Sequence, residues 1–177
     1  MRNQRIRILT MTAVLAGLIC VVTMYFQIPM PPKGYFNLGD CFVLMGAFLL
    51  PAPFAACAGG IGSMLADLFL SYGIYAPATL VIKGLMAFVA ALLFRLLRKR
   101  SYLAALVGAI AGELIMAGGY FLFELVLYGS ETAIAGLLAT NLPQALVGFV
   151  ASVLLYSVLE KTRLAQKIRG GLVAHAR

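Results

Sequence analysis

Apolar and polar positions fall in long blocks along this chain. Apolar runs cover about 8–28, 41–50, 54–70, 78–97, 102–128 and 132–159, separated by short stretches rich in Pro, Gly, Tyr or basic residues. A helix rises 1.5 Å per residue, so ~20 apolar residues match the ~30 Å hydrocarbon core of a bilayer. The pattern predicts an all-α, polytopic membrane protein: one integral membrane domain, residues 1–177, with six transmembrane helices. The run at 41–50 is too short to cross upright, and Pro51-Ala52-Pro53 turns it into the next run. Either both runs cross or the pair is re-entrant, since a failure of one alone would put the next basic cluster on the wrong side.

Charge orients the predicted bundle. The chain is 63% hydrophobic, only 11% charged, and carries a net charge of +8, a balance that fits lipid as the solvent. Its basic residues are grouped: Arg2, Arg5 and Arg7 at the head; Arg95, Arg98, Lys99 and Arg100 in the middle; Lys161, Arg163, Lys167, Arg169 and Arg177 at the tail. Only Lys33 and Lys83 stand apart. Clusters at helix ends are the positive-inside signal, and they place both termini in the cytoplasm. The same charges then need no nucleic-acid partner. The first run is longer than the hydrophobic region of a signal peptide, and further spans follow it.

Polar residues inside the apolar runs carry the candidate chemistry. Asp67 lies about one turn from the outer end of the third helix, and Lys83 about 9 Å below the start of the fourth. The two can meet in the outer half of the bilayer, either as an ion pair that satisfies both groups or as ligands for a small molecule. Ala55, Gly59, Ser63 and Asp67 recur every fourth residue, a small-residue seam leading up to the acid. Glu113, Tyr120 and Glu124 share one face of the fifth helix and should look inward. In the sixth, Asn141 and Gln144 share a face beside Pro143, which should kink the helix and free the Ala139 carbonyl. Such amides either bind a ligand or bond a neighbouring helix.

Residues 29–40, PMPPKGYFNLGD, contain three prolines and two glycines and should not be helical. This outer loop either connects helices or covers a pocket as a lid. On the first helix, Ala13 and Gly17 form one small-residue stripe and Thr12, Ala16 and Cys20 another, suited to close helix contact within the protein or with a partner subunit. Cys20, Cys41 and Cys57 sit in apolar runs without metal-ligand spacing, and His175 has no partner nearby in sequence. GGIGS at 59–63 lacks the following GK[ST] of a nucleotide-binding loop, and no such motif occurs anywhere in the chain.

With these residues in place, the chain resembles the substrate-binding S components of energy-coupling factor (ECF) vitamin transporters. The resemblance covers nearly the whole chain and is carried by NLGD at 37–40, GGIGSMLADL at 59–68, APATLVIKG at 76–84, GELIMAGGYFLFE at 112–124 and NLPQALVG at 141–148. These segments look most like the hydroxymethylpyrimidine or pyridoxine branch. The resemblance implies a multi-pass protein of a bacterial plasma membrane that binds one vitamin-sized molecule on its outer side. The molecule passes to a transmembrane coupling subunit and two cytoplasmic ATPases, so the chain is no enzyme and needs no cofactor. It also implies that the pocket uses Lys83, Tyr120, Glu124, Asn141 and Gln144; Tyr75 of the outer loop is a further pocket candidate, and Asp67 and Glu113 are read from their positions as an intramembrane ion pair or a support for the site. The family's alanine pattern for docking the coupling subunit falls on Ala13 and Gly17, with glycine replacing the second alanine.

A small aromatic ligand with ring nitrogens and hydroxyl or amino groups suits this residue set. The alternative is an autonomous carrier that uses the intramembrane acids and Lys83 as a proton or ion path.

Overall fold

The computed structural model describes residues 2–173; His175 and Arg177 lie outside them. Helix α1 runs Arg2–Tyr25, so the basic head is helical and the helix ends three residues before the expected boundary at 28. Arginine and glutamine are good helix formers, which lets the head continue the turn pattern of the apolar run. The next segment is not a plain loop. Strands β1 (Gln27–Pro29) and β2 (Tyr35–Asn37) pair antiparallel, Gln27 opposite Asn37 and Pro29 opposite Tyr35. Gly34 closes the connecting turn with φ of +85°, a left-handed conformation that suits glycine. Among the described residues, this short hairpin is the one departure from the all-α expectation.

Seven further α-helices follow among the described residues, beginning with α2 (Gly39–Leu49), α3 (Ala52–Phe69), α4 (Ala76–Leu96), and, after a tight turn at Arg98–Arg100, α5 (Ser101–Tyr128) and α6 (Ser130–Gly136). Prolines fall in the first turns of α3 and α4, where a missing N–H costs no helical hydrogen bond. The predicted kink before Pro143 takes a definite form. Residues Leu137–Asn141 make a wide π turn before α7 (Leu142–Lys161), and the Leu142 N–H bonds the Leu137 carbonyl. Pro143 cannot donate to Ala139, so the ladder widens by one residue rather than breaking. The basic tail, which carries no predicted element, forms α8 (Leu164–Val173).

Among the described residues, five helical stretches are long and apolar enough to cross a membrane, one of them the continuous stretch Ser130–Lys161. The sixth, α2, has 11 residues and is buried along nearly its whole length. At 1.5 Å per residue it reaches only about half of the hydrocarbon thickness. It is the centre of the bundle: Val43, Leu44, Met45, Ala47 and Phe48 are shielded by the helices around them. Helix α3 packs between α1 and α4 at backbone contact. A side chain at Gly62 would lie 2.5 Å from the Ala16 carbonyl, and one at Gly60 would lie 2.6 Å from that of Leu80. Glycine is therefore required there, because packing rather than water expulsion holds helices together in lipid.

The outward surface is apolar. Val14 and Val21 on α1, Leu114 and Val126 on α5, and Leu146 and Leu154 on α7 are all exposed. Charged and amide side chains go the other way: Asp40, Asp67, Lys83, Glu113, Glu124, Asn141 and Gln144 are buried. This arrangement is that of an all-α, polytopic membrane protein. Arg7 and Lys167 line one groove, while Arg95, Arg98 and Arg169 line another beside it, so α8 gathers members of the three basic clusters at one end.

Candidate functional site

The opposite end holds a polar chamber. Its floor is a chain of bonds across four elements. Lys83 of α4 forms an ion pair with Asp40 in the first turn of α2, where the helix dipole also favours a carboxylate. Gln144 of α7 donates from Nε2 to Asp40 Oδ2 at 2.7 Å. The Gln144 carbonyl oxygen accepts from the Asn37 backbone N–H at 2.9 Å and from Asn37 Nδ2 at 3.0 Å. Asn37 Oδ1 in turn accepts from the Gly39 N–H at 2.8 Å, tying the hairpin to the start of α2.

Tyrosines form the walls and roof. Tyr35 of the hairpin donates its hydroxyl to Asp67 of α3, and its ring lies 4.8 Å from that of Tyr72. Burial, with Asp67 adjacent, pushes the Tyr35 phenol well above its usual range, so it remains a donor. Tyr75, just before α4, donates to Glu124 Oε1 at 3.3 Å, and burial likewise raises its phenol. Thr79 and Tyr120 share a hydrogen bond of 2.9 Å. The Lys83 ammonium lies 5.4 Å from the Tyr120 ring centroid, within cation–π range. These side chains leave a cavity of only about 30 Å³, space on the scale of one or two waters.

All six residues named from sequence for the pocket, Lys83, Tyr120, Glu124, Asn141, Gln144 and Tyr75, line this one chamber, and so does Asp67. Glu113 does not. It sits behind the floor, near Asp40, and its carboxyl fills the space left by Gly148. Neither Glu113 oxygen finds a hydrogen-bond partner among the described residues. The Asp67–Lys83 pair allowed by the sequence is not made, because Asp40 takes Lys83 and Tyr35 takes Asp67. Ala13 and Gly17 lie on an exposed face of α1, and a side chain at Gly17 would meet nothing within 4 Å. The Thr12–Ala16–Cys20 stripe is turned inward toward α3.

Sequence reasoning did not select Asp40, Tyr35, Asn37, Thr79 or Thr140 as site residues. A usable signal existed for Asp40: it stands at the edge of an apolar run, and a buried Lys83 needs an acid at the same depth. Thr79 and Thr140 carried no comparable signal, since threonine is ordinary in a membrane helix. Five residues that line the chamber each leave a buried polar atom without a partner among the described residues: Thr23 Oγ1, Asp67 Oδ2, Glu124 Oε2, Thr140 Oγ1 and Asn141 Nδ2. Glu124 presses against α6, where Gly136 leaves room for its carboxyl. No group of three or more metal-ligating side chains occurs among the described residues.

An apolar exterior around a polar chamber walled by helices and roofed by a hairpin defines a multi-pass membrane protein with an enclosed polar site near one end. Residues 3–161 match the family model described as ECF-type riboflavin transporter, S component, and the chain belongs to that family. It is 31% identical over 171 residues to the thiamine precursor transporter HmpT of Lactococcus lactis subsp. cremoris (strain MG1363), covering 96% of this chain and 97% of the relative. It is also 33% identical over 144 residues to a Pyrococcus woesei protein described as "Uncharacterized protein in gap 3'region", covering 81% of this chain and 95% of that one. The chain is therefore a transport protein of the vitamin-type, substrate-binding S-component class, a family of transporter components and not of enzymes.

Proposed function

We propose that this chain binds a small water-soluble vitamin or precursor built on a single nitrogen heterocycle, with hydroxymethylpyrimidine and pyridoxine the favoured ligands. Riboflavin or another B vitamin is the broader class. The observation that carries this reading is the pairing of unmet needs in a tyrosine-lined chamber: an acceptor at Glu124 Oε2 and a donor at Asn141 Nδ2. A pyrimidine or pyridine offers an amino or hydroxyl donor to the first, a ring nitrogen or oxygen to the second, and a flat face to Tyr75 or Tyr120. The similarity to a thiamine precursor transporter supports the same ligand class. The family model's description names riboflavin, which therefore stays within the broader class.

Entry of any such ligand requires the chamber to open. The hairpin is the mobile wall in this reading, held by two side-chain latches, Tyr35 on Asp67 and Asn37 on Gln144. The chamber faces outward and both termini face the cytoplasm, because the basic clusters gather at the other end. The chain crosses the plasma membrane six times, with α2 and the hairpin together completing the second crossing. It hands its ligand to a coupling subunit docked on the Ala13–Gly17 face of α1, and two partner ATPases supply the energy.

Purified protein mixed with hydroxymethylpyrimidine, pyridoxine and riboflavin, without ATP, should bind one of the single-ring compounds most tightly by calorimetry. Glu124→Gln and Asn141→Ala should each weaken that binding roughly tenfold, the scale of one buried hydrogen bond. Unchanged affinity in both variants would move the pocket elsewhere. Proton-driven uptake into liposomes lacking any ATPase would replace this reading with an autonomous carrier.

A further inference from the structure

A cavity of about 680 Å³, far larger than the chamber, lies at the basic end between the α2–α3 turn, the end of α4, the start of α5, the end of α7 and α8. Its floor is apolar, made in part by Phe48, Leu50 and Phe94, all nearly fully buried. Its rim carries Arg95, Arg98 and Arg169 against a single carboxylate, Glu160. That carboxylate is committed: Arg169 donates to Glu160 Oε2 at 2.7 Å, and Tyr156 donates to the same oxygen at 3.0 Å. Arg169 is held further by the rings of Phe94 and Tyr156, 5.3 and 5.7 Å from its guanidinium. Arg95 and Arg98 make no salt bridge among the described residues. The cavity therefore pairs two uncompensated guanidinium groups with an apolar floor.

We infer that this cavity binds the phosphate headgroup of an anionic membrane lipid. The guanidinium fork matches the paired oxygens of a phosphodiester. Ser101, which opens α5 on the cavity wall, adds a hydroxyl donor. A free phosphate would satisfy the rim and leave the apolar floor without a partner, whereas a phospholipid carries its glycerol and first methylenes to it. Basic pockets between helices at the end of a bundle are where such headgroups sit. The lipid would tie α8 to the helix ends around it, independently of what occupies the chamber.

The test uses the whole chain in neutral detergent, with native mass spectrometry and thermal unfolding as readouts. Phosphatidylglycerol, phosphatidylcholine and inorganic phosphate are the probes. Wild type should retain phosphatidylglycerol in roughly tenfold preference over phosphatidylcholine, and its unfolding temperature should rise with the first lipid only. Arg95→Gln/Arg98→Gln, which alters two exposed side chains, should fold normally and lose that preference. Equal retention of the two lipids, or an undiminished preference in the double variant, overturns the proposal. A rise with inorganic phosphate equal to that with phosphatidylglycerol assigns the site to free phosphate and overturns the lipid reading. Loss of coupling-subunit association in the double variant, with lipid retention unchanged, makes this face a protein interface instead.

Discussion

The two ends of the bundle bury different chemistry. Around Phe48, Phe94 and Tyr156 the core is aromatic, with ring centroids 5.1–5.4 Å apart. Each polar atom that enters it is paired: the Tyr156 hydroxyl donates to Glu160 and accepts from Arg169. At the chamber end the interior is charged and amide-rich, and it leaves polar atoms on Thr23, Asp67, Glu124, Thr140 and Asn141 without partners among the described residues. A buried polar atom without a partner costs about 1–3 kcal/mol. A fold built only for stability would not gather five such atoms in one place. The aromatic end holds the helices together, and the chamber end gives up stability for a site.

The largest expected effect tests the chamber floor. Asp40→Ala leaves the Lys83 ammonium buried without its counter-ion, and it should destabilise the protein by about 3–5 kcal/mol in detergent unfolding. Asp40→Asn combined with Lys83→Met removes both charges and should recover most of that stability without recovering ligand binding. If the double variant is as unstable as the single one, the pair is not what holds α2 to α4. Next comes the aromatic end, where Tyr156→Ala should cost about 3 kcal/mol through the cavity it leaves. Its ligand affinity, measured at a temperature where it stays folded, should remain within about twofold of wild type. A larger loss would show that the two ends are coupled. Smallest is Gly17→Trp on the open face of α1. It should shift stability by no more than about 0.5 kcal/mol, spare ligand binding, and block co-purification with the coupling subunit. Normal assembly would remove α1 as the docking face.

Much of this was legible before any coordinates. The Glu113–Tyr120–Glu124 and Asn141–Gln144 stripes follow from helical spacing alone, and an acid or amide in an apolar run has few stable places except the interior. Tyr75 was legible as part of an aromatic loop beside Lys83. Other features were hidden for local reasons. The three-residue strands of the hairpin are too short to show alternation, and their prolines argue for a loop. Helix α8 lies in a polar tail whose apolar face is narrow, and that face matters only because α7 and α2 stand beside it.

The sequence by itself determined that the chain is a bundle of membrane helices, that its basic residues mark one end, and which side chains must look inward. Those properties depend on hydropathy and on the 3.6-residue period, and both are local. Only the tertiary structure decided which inward groups meet. Lys83 pairs with Asp40, 43 residues away in sequence, rather than with Asp67, since the short α2 is wedged into the centre of the bundle and brings its first turn against α4 and α7. Asp67 is then left to Tyr35 of the hairpin. Which charge answers which depends on the order in which helices pack around α2, and that order is not written in the spacing along any one of them.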